Sequence, residues 1–383
     1  MASSSLRTRP DPGSGAMHID ALYEILLRIP AKELCRLRAV CRPWRSLLSD
    51  PHFIAAHAAR HPGPFIVAGH DTSCRDDGIL CDIINQSGRV IKQIRSTGDG
   101  DEDEWVISAH LDFACIAKGS TRRCQLLNLA TGDVFTMPEG LSEEHTPRKM
   151  EFLNYRAAVA FGKVASTGEY KLLRVIDNGV FGNPYKKLCE VFTLGCSGNA
   201  RWRGKAASPD TVDMRTYSRV VIDAIVYFFL DENQDVGPRS IASFDLSTEE
   251  WRVTIRGPVN NFVGDELVDY DNLSLATLSG SLVVVHRNLD ASMDLWFLMD
   301  FDNGLWVKQH TMRVNLCAQR NEFLAHPLLI LNDGRIVTYI GSKGILRIYN
   351  PRTNTCTDAA ELGPCIGIGL YSGNLLSLPN GAT

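Results

Sequence analysis

Length, composition and charge already restrict what this chain can be. Its 383 residues include 44 acidic side chains and 40 Lys or Arg side chains, for a net charge of −4, so no basic field indicates a nucleic-acid partner. No apolar run reaches the roughly eighteen residues that a membrane-spanning helix needs. The length exceeds that of one average domain and predicts a small domain followed by a large one.

The first part of the chain carries a helical pattern. Residues 1–16 are rich in Ser, Arg, Pro and Gly, a composition typical of a disordered tail. A helix is then expected with Asp20 as its N-cap and with its end before Pro30, which cannot continue a helix. Its apolar face lies at the i, i+3, i+4 and i+7 positions, which are Leu22, Ile25, Leu26 and Ile29.

Two more short apolar segments follow. The second segment carries Leu34, Leu37, Val40 and Cys41. A third helix is predicted to begin near Pro43 and to end at Asp50-Pro51, with an apolar stripe of Trp44, Leu47 and Leu48. Three such helices bury too little surface for a core of their own. Either they expose an apolar surface to a partner, or they form an ordinary subdomain packed on the next domain.

This stretch, 17–61, resembles the F-box family. The matching runs are E-I-L-L-R-I-P at 24–30, R-x-R-x-V-C-R-x-W-R-S-L at 36–47 and D-P-x-F at 50–53. In that family such positions engage a Skp-type adaptor, which in turn binds a cullin scaffold. The resemblance implies that adaptor-binding or F-box core residues are Leu22, Ile25, Leu26, Ile29, Pro30, Leu34, Val40, Cys41, Trp44 and Leu47. The family usually opens with Leu-Pro, and Met17-His18 stands there instead, which predicts weaker adaptor binding.

The remaining chain, 65–380, has an all-β pattern. Short β-branched and aromatic runs alternate with turn residues, at 65–68, 79–84, 124–129, 171–176, 220–230, 282–286, 295–299 and 335–340. A weak hairpin repeat, spaced by roughly fifty residues, predicts a propeller-like domain of about six blades. Its copies lie at 81–92, 126–138, 190–203, 243–253, 298–308 and 347–357.

The same region resembles the F-box-associated domain of plant F-box proteins. The resemblance rests on phrases such as F-G-K-V-A-S-T-G-E-Y-K-L-L-R-V at 161–175 and I-A-S-F-D-L-S-T-E-E-W at 241–251. It implies a module that recruits a protein target which differs between members, and it leaves the target-binding residues unknown. Candidates are Trp105, Tyr185, Trp202, Arg203 and Trp306, although a Trp repeated from blade to blade is more often a core residue.

Catalytic or metal-binding patterns are not found in the sequence. The Cys and His residues do not cluster at zinc-ring spacing, and Cys41, which lies within the F-box motif, is expected to have a packing role rather than a nucleophilic one. His57 and His61 are interpreted as a solvated helix end, the acidic stretch 98–104 as a solvated loop, and Gly367-Ile368-Gly369 as close β packing. No cofactor or metal is therefore expected.

Together these features predict a non-catalytic, substrate-recognition subunit of a Skp–cullin–F-box ubiquitin ligase. The expected partners are the adaptor, through it a cullin, and an unknown protein target, with neither nucleic acid nor membrane involved. Two alternatives stay open: an adaptor-bound scaffold or regulator outside a cullin ligase, and a ligand-binding or enzymatic propeller. Eleven scattered cysteines, typical of reduced thiols, predict a cytoplasmic or nuclear location.

Overall fold

The structure is a computed structural model that falls into two compact units. It describes residues 19–29, 31–61, 64–72, 78–95, 104–118, 123–145, 156–177, 187–195, 201–208, 211–231, 240–258, 272–288, 290, 292–313, 325–341, 344–372 and 376. Among them, the helices and Leu376 form a helical unit, and the strands form a β unit that ends before residue 374. No helix among the described residues has the length and apolar character needed to cross a bilayer.

The helical unit contains one helix more than the three predicted. Its described helices are α1 (Ile19–Leu26), α2 (Ala31–Leu37), α3 (Arg42–Leu48) and α4 (Pro51–Arg60). Helix α1 begins before Asp20, so the prediction of Asp20 as its N-cap is wrong. Asp50 caps α4 instead, because its carboxylate accepts the backbone N–H groups of His52 and Phe53 at 2.8 and 3.2 Å.

The β unit confirms the predicted all-β, propeller-like domain. Its strands, in chain order from β1 to β24, are Phe65–Gly69, Ile79–Ile84, Val90–Arg95, Glu104–Leu111, Phe113–Lys118, Arg123–Asn128, Val134–Thr136, Arg156–Lys163, Tyr170–Asp177, Leu188–Leu194, Arg203–Lys205, Arg219–Ile222, Ile225–Phe229, Ile241–Asp245, Glu250–Trp251, Leu273–Leu278, Ser281–Arg287, Ser292–Asp300, Leu305–Arg313, Ala325–Ile330, Ile336–Ile340, Ile345–Asn350, Thr355–Glu361 and Gly367–Tyr371.

These strands form four-stranded antiparallel units, which we call blades. Blade 1 has the order β24-β1-β2-β3, and blades 2 to 6 are β4–β7, β8–β11, β12–β15, β16–β19 and β20–β23. A short parallel pairing between β24 and β4 joins blades 1 and 2 into one eight-stranded sheet. Each copy of the sequence repeat covers the third and fourth strands of a blade, as a hairpin.

The hydrophobic core of the β unit lies between successive blades. One buried cluster, for example, combines Leu173 and Val191 of blade 3 with Phe228 and Phe244 of blade 4. Comparable clusters join blades 2 and 3, 4 and 5, 5 and 6, and 6 and 1. Blades 3 to 6 are therefore each stabilised by apolar burial against both of their neighbours.

The predicted strand 220–230 is two strands. Strands β12 and β13 are separated by a two-residue turn in which Asp223 and Ala224 have φ values of 47° and 63°. Positive φ at both turn positions is the requirement of a tight hairpin turn. The turn was missed because neither residue is a glycine or an asparagine, the usual sequence signals for this geometry.

Candidate functional site

The helical unit separates the predicted docking residues by exposure, which the sequence pattern did not. Leu26 and Leu34 are buried, and Leu22, Ile29, Trp44 and Leu47 are half-buried. Ile25 is 48% exposed and Val40 is 63% exposed. Cys41 is also exposed, so it is not among the buried core residues of the helical unit. Pro30 and the Met17-His18 pair lie outside the described residues.

Helix α4 supplies core residues that the sequence reading missed. Phe53 is fully buried, as is Leu48 at the end of α3, and the Phe53 ring meets the Tyr23 ring edge-on at 5.1 Å. The imidazole of His57 is buried and its Nε2 atom donates to the Ile29 carbonyl at 2.9 Å, so its interpretation as part of a solvated helix end is wrong. Burial lowers the pKa of His57, although the carbonyl bond acts in the opposite direction.

The consequence is a small unit with a filled interior and apolar side chains left on its surface. Leu26, Leu34, Leu48 and Phe53 hold the helices together. Ile25 and Val40 make no such contribution, because about half or more of each side chain is in water. Both side chains are therefore available for contact with a partner.

In the β unit, the tryptophans proposed as target contacts are structural. Trp202 and Trp306 are buried. Each repeated Trp donates its indole N–H to a backbone carbonyl in the segment that leaves the preceding blade. Trp202 donates to Pro138 at 2.9 Å, Trp251 to Ala206 at 3.0 Å and Trp306 to Arg256 at 2.8 Å. The side chain of Trp105 and all of Tyr185 lie outside the described residues.

A buried ionic network stabilises blade 3. The Glu190 carboxylate has no exposed surface and accepts hydrogen bonds from His145 Nδ1 and the Ser142 backbone N–H at 2.9 and 2.8 Å. Arg174 donates to the same carboxylate and also to the Gly140 carbonyl at 2.7 Å. Its guanidinium lies 4.0 Å from the centre of the Trp202 ring. The network therefore attaches segment 138–145 to the sheet.

A second carboxylate, that of Glu249, forms ion pairs with three cationic side chains. Lys171 Nζ, Arg203 Nη2 and Lys205 Nζ lie 2.8, 2.6 and 2.6 Å from its oxygens. Arg203, a candidate target contact, is therefore part of an ion cluster between blades 3 and 4. Burial raises the pKa of Glu249, but the hydrogen bonds from these cations outweigh burial and bring it to about 2.

These two carboxylates predict loss of stability in acid. Burial raises the pKa of Glu190, but its bonds to His145, Arg174 and Ser142 lower it to about 2, below the value of about 4.3 for an unfolded Glu. A lowered folded-state pKa contributes stability above pH 4.3 and loses it as the pH falls from about 5 to about 2. Urea denaturation at pH 7, 5 and 3 should show this decrease, and it should be smaller in Glu249→Gln. A midpoint independent of pH would contradict the prediction.

Segments that connect strands differ in length between the two ends of the blades. At one end, connections within a blade are short, such as 112, 223–224, 279–280 and 301–304. The connections from the second to the third strand and from one blade to the next start and end at the other end of the blades, and several span many residues in the sequence, such as 137–155, 206–218, 252–272 and 314–324. Long connections on a rigid scaffold are where binding residues usually occur. We call this end the long-connection face.

Described residues also meet near the axis of the blades at this face. Tyr217, in the turn that leads into β12, lies 5.0 Å from the ring of His326 at the start of β20. These strands belong to blades 4 and 6, which are not neighbours, so the contact lies near the axis. Burial lowers the pKa of His326 to about 4, which leaves the imidazole neutral at physiological pH. Nearby, the Cys365 N–H donates to Tyr339 Oη at 2.8 Å.

Among the described residues, no group of three or more His, Cys, Asp or Glu side chains is arranged to hold a metal ion. Of the acidic stretch 98–104, Glu104 alone is described. It is buried, with Lys118 Nζ 3.3 Å from its carboxylate, so the solvated-loop interpretation is wrong for this residue.

Comparison with known families identifies both units. Residues 106–360 match the family described as F-box associated beta propeller domain. The chain belongs to this family. Residues 16–55 match the F-box domain, so this F-box protein combines an N-terminal F-box with a C-terminal F-box associated domain, as its sequence resemblance predicted.

The chain is also similar to plant F-box proteins and, more distantly, to a solved bacterial structure. The F-box protein At3g07870 of Arabidopsis thaliana is 22% identical over 88% of this chain and 84% of its own length. The F-box/LRR-repeat protein At2g43260 from the same plant is 21% identical over 96% of this chain and 84% of its own length. TolB from Acinetobacter baumannii aligns with a TM-score of 0.43 at 14% identity, over 80% of this chain and 66% of its own.

Proposed function

We propose that this F-box protein is the substrate-recognition subunit of a Skp–cullin–F-box ubiquitin ligase. The observation that supports the proposal best is the pairing of an F-box match at 16–55 with an F-box associated propeller at 106–360. The helical unit docks on a Skp-type adaptor and, through it, a cullin. The β unit holds a protein target. The protein works in the cytoplasm, the nucleus or both.

The proposed mechanism is proximity and involves no bond chemistry on this chain. Holding a target close to the ubiquitin-charged enzyme raises the effective concentration of its lysines at the ubiquitin thioester. The long-connection face, with Tyr217 and His326 near its axis, is the proposed target-binding face. Ile25 and Val40 are the proposed adaptor contacts, since they are apolar, exposed and within the F-box motif.

Ile25→Asp combined with Val40→Asp is expected to weaken adaptor binding strongly without unfolding the protein. Two desolvated apolar contacts at the centre of an interface are worth about 2 kcal/mol or more, which is on the order of a thirtyfold increase in Kd. Kd for a purified Skp-type adaptor is measured by calorimetry, and cullin recovery by co-purification. Buried Leu26 is unsuitable for this test, because Leu26→Asp would disrupt the core.

The matched control is Val253→Asp combined with Met299→Asp. These apolar side chains of the β unit are 79% and 58% exposed, so the control adds the same charges at similar exposure and should bind adaptor as the wild type does. If the wild type binds no adaptor, the proposed function is wrong. If it recovers adaptor without cullin, the scaffold or regulator reading replaces the ligase reading. The Met17-His18 departure is the sequence feature that favours that alternative.

A further inference from the structure

One residue from the far end of the chain is buried in the helical unit. Leu376 has no exposed surface, and its carbonyl accepts a hydrogen bond from Arg38 Nη2 at 2.5 Å. The same Nη2 atom donates to the carbonyl of Leu48, the last residue of α3, at 2.8 Å. A single guanidinium therefore joins the turn after α2, the end of α3 and a residue that lies 338 positions further along the chain.

The Arg38 guanidinium depends on these carbonyl acceptors. The side chain is partly buried, and burial lowers the pKa of Arg38, against a smaller opposite influence of Cys35. Its Nε atom is buried without a hydrogen-bond partner among the described residues. Since a buried charge is costly unless its donors are satisfied, the loss of the Leu376 carbonyl would leave Arg38 short of acceptors.

Arg38 also fixes the chain next to the proposed adaptor contact Val40. Its backbone carbonyl accepts from Arg45 Nε at 3.3 Å, and the Val40 N–H donates to Leu37 O at 3.1 Å. The side chain and the main chain of Arg38 thus both connect the 38–41 turn to α3, which carries Trp44. The geometry of this turn decides where the exposed Val40 side chain is presented.

We propose that Leu376 is a structural part of the adaptor-docking unit, and that its bond to Arg38 positions the 38–41 turn for the adaptor. This inference rests on the proposed function for its adaptor step, but the bond and its effect on α2 and α3 do not depend on it. Leu376, which follows the β unit in the sequence, is therefore assigned to the F-box unit.

The test compares two substitutions in the full-length protein. Leu376→Lys places a second cation beside Arg38 in a buried position, whereas Leu376→Met keeps the volume, the apolar character and the backbone carbonyl. We expect Leu376→Lys to weaken binding of a purified Skp-type adaptor by about tenfold or more and to speed amide hydrogen exchange in α2 and α3. Leu376→Met should match the wild type in both measurements.

A coupling experiment with Arg38→Met separates a specific bond from general damage. If Leu376 acts through Arg38, the double variant Arg38→Met, Leu376→Lys should bind adaptor no more weakly than Arg38→Met alone. Additive losses would overturn the proposal. So would unchanged exchange in α2 and α3 for Leu376→Lys, or exchange that rises equally in β1 to β24. If the wild type binds no adaptor, the proposed function fails, while the exchange measurements still decide whether Leu376 holds the helices.

Discussion

Gly369→Ala should destabilise the β unit by about 3 kcal/mol, since the added methyl group would collide with the backbone of a neighbouring strand. A methyl group at Gly369 would lie 2.7 Å from the carbonyl carbon of Ala109 in β4, and closer still to its oxygen. Gly367 is similarly restricted, because a methyl group added there would lie 2.6 Å from the carbonyl oxygen of Val106. Both glycines belong to β24, so the added methyl would separate β24 from β4, where blades 1 and 2 join.

Urea denaturation measures this effect, and Gly140→Ala is its control. Gly140 has a φ of +91°, and a methyl group there meets nothing within 4 Å. The control therefore tests the backbone strain of alanine at positive φ, without a steric collision. That cost is on the order of 1 to 2 kcal/mol. Equal destabilisation by the two substitutions would show that β24 and β4 tolerate separation. The interpretation of Gly367-Ile368-Gly369 as close β packing is confirmed by these distances.

Glu190→Ala is expected to cost about 3 to 5 kcal/mol of unfolding free energy, because it removes one member of a buried ion pair and leaves its partners in place. Arg174 would lose its carboxylate, and His145 Nδ1 and the Ser142 N–H would lose their acceptor. Segment 138–145 should then detach locally, which hydrogen exchange of that segment would detect.

The matched control is Glu143→Ala in the same segment. Glu143 also pairs with an arginine, Arg201, at 2.7 Å, but the two side chains are 79% and 53% exposed. An exposed pair contributes about 1 kcal/mol or less. Chemical denaturation at pH 7 should therefore separate the two variants clearly. If both lose the same small amount of stability, the buried network does not stabilise blade 3 as described.

The sequence predicted the architecture well where each signal was local. The F-box motif, the strand runs and the hairpin repeat each depend on neighbouring residues, and all three correspond to observed elements. The expectation that a Trp repeated from blade to blade is more often a core residue agrees with the burial of Trp202 and Trp306, and Trp251 is partly buried against the core between blades 3 and 4. Their carbonyl partners could not be predicted, because each lies in a segment roughly fifty residues earlier that the repeat pattern does not mark.

Features that depend on contacts between distant residues could not be predicted from the sequence. Ile25 and Leu26 are adjacent and equally apolar, and the packing of the four helices decides that one is exposed and the other buried. His57 looked like a surface residue because its partner, the Ile29 carbonyl, carries no side-chain signal. Glu190 sits in an ordinary strand pattern, and nothing in C-E-V-F indicates that Arg174, His145 and Ser142 converge on it.

The pairing of β1 with β24 has a consequence for how the protein is made. Strand β1 pairs with β24 along its full length, from Phe65 opposite Tyr371 to Gly69 opposite Gly367. At a translation rate of about 5 to 20 residues per second, β1 waits on the order of 15 to 60 seconds for its partner to be synthesised. During that time an apolar strand edge is open to wrong pairing. A ribosome that stops early would release a chain with this edge permanently uncovered, which makes such products natural clients for chaperones.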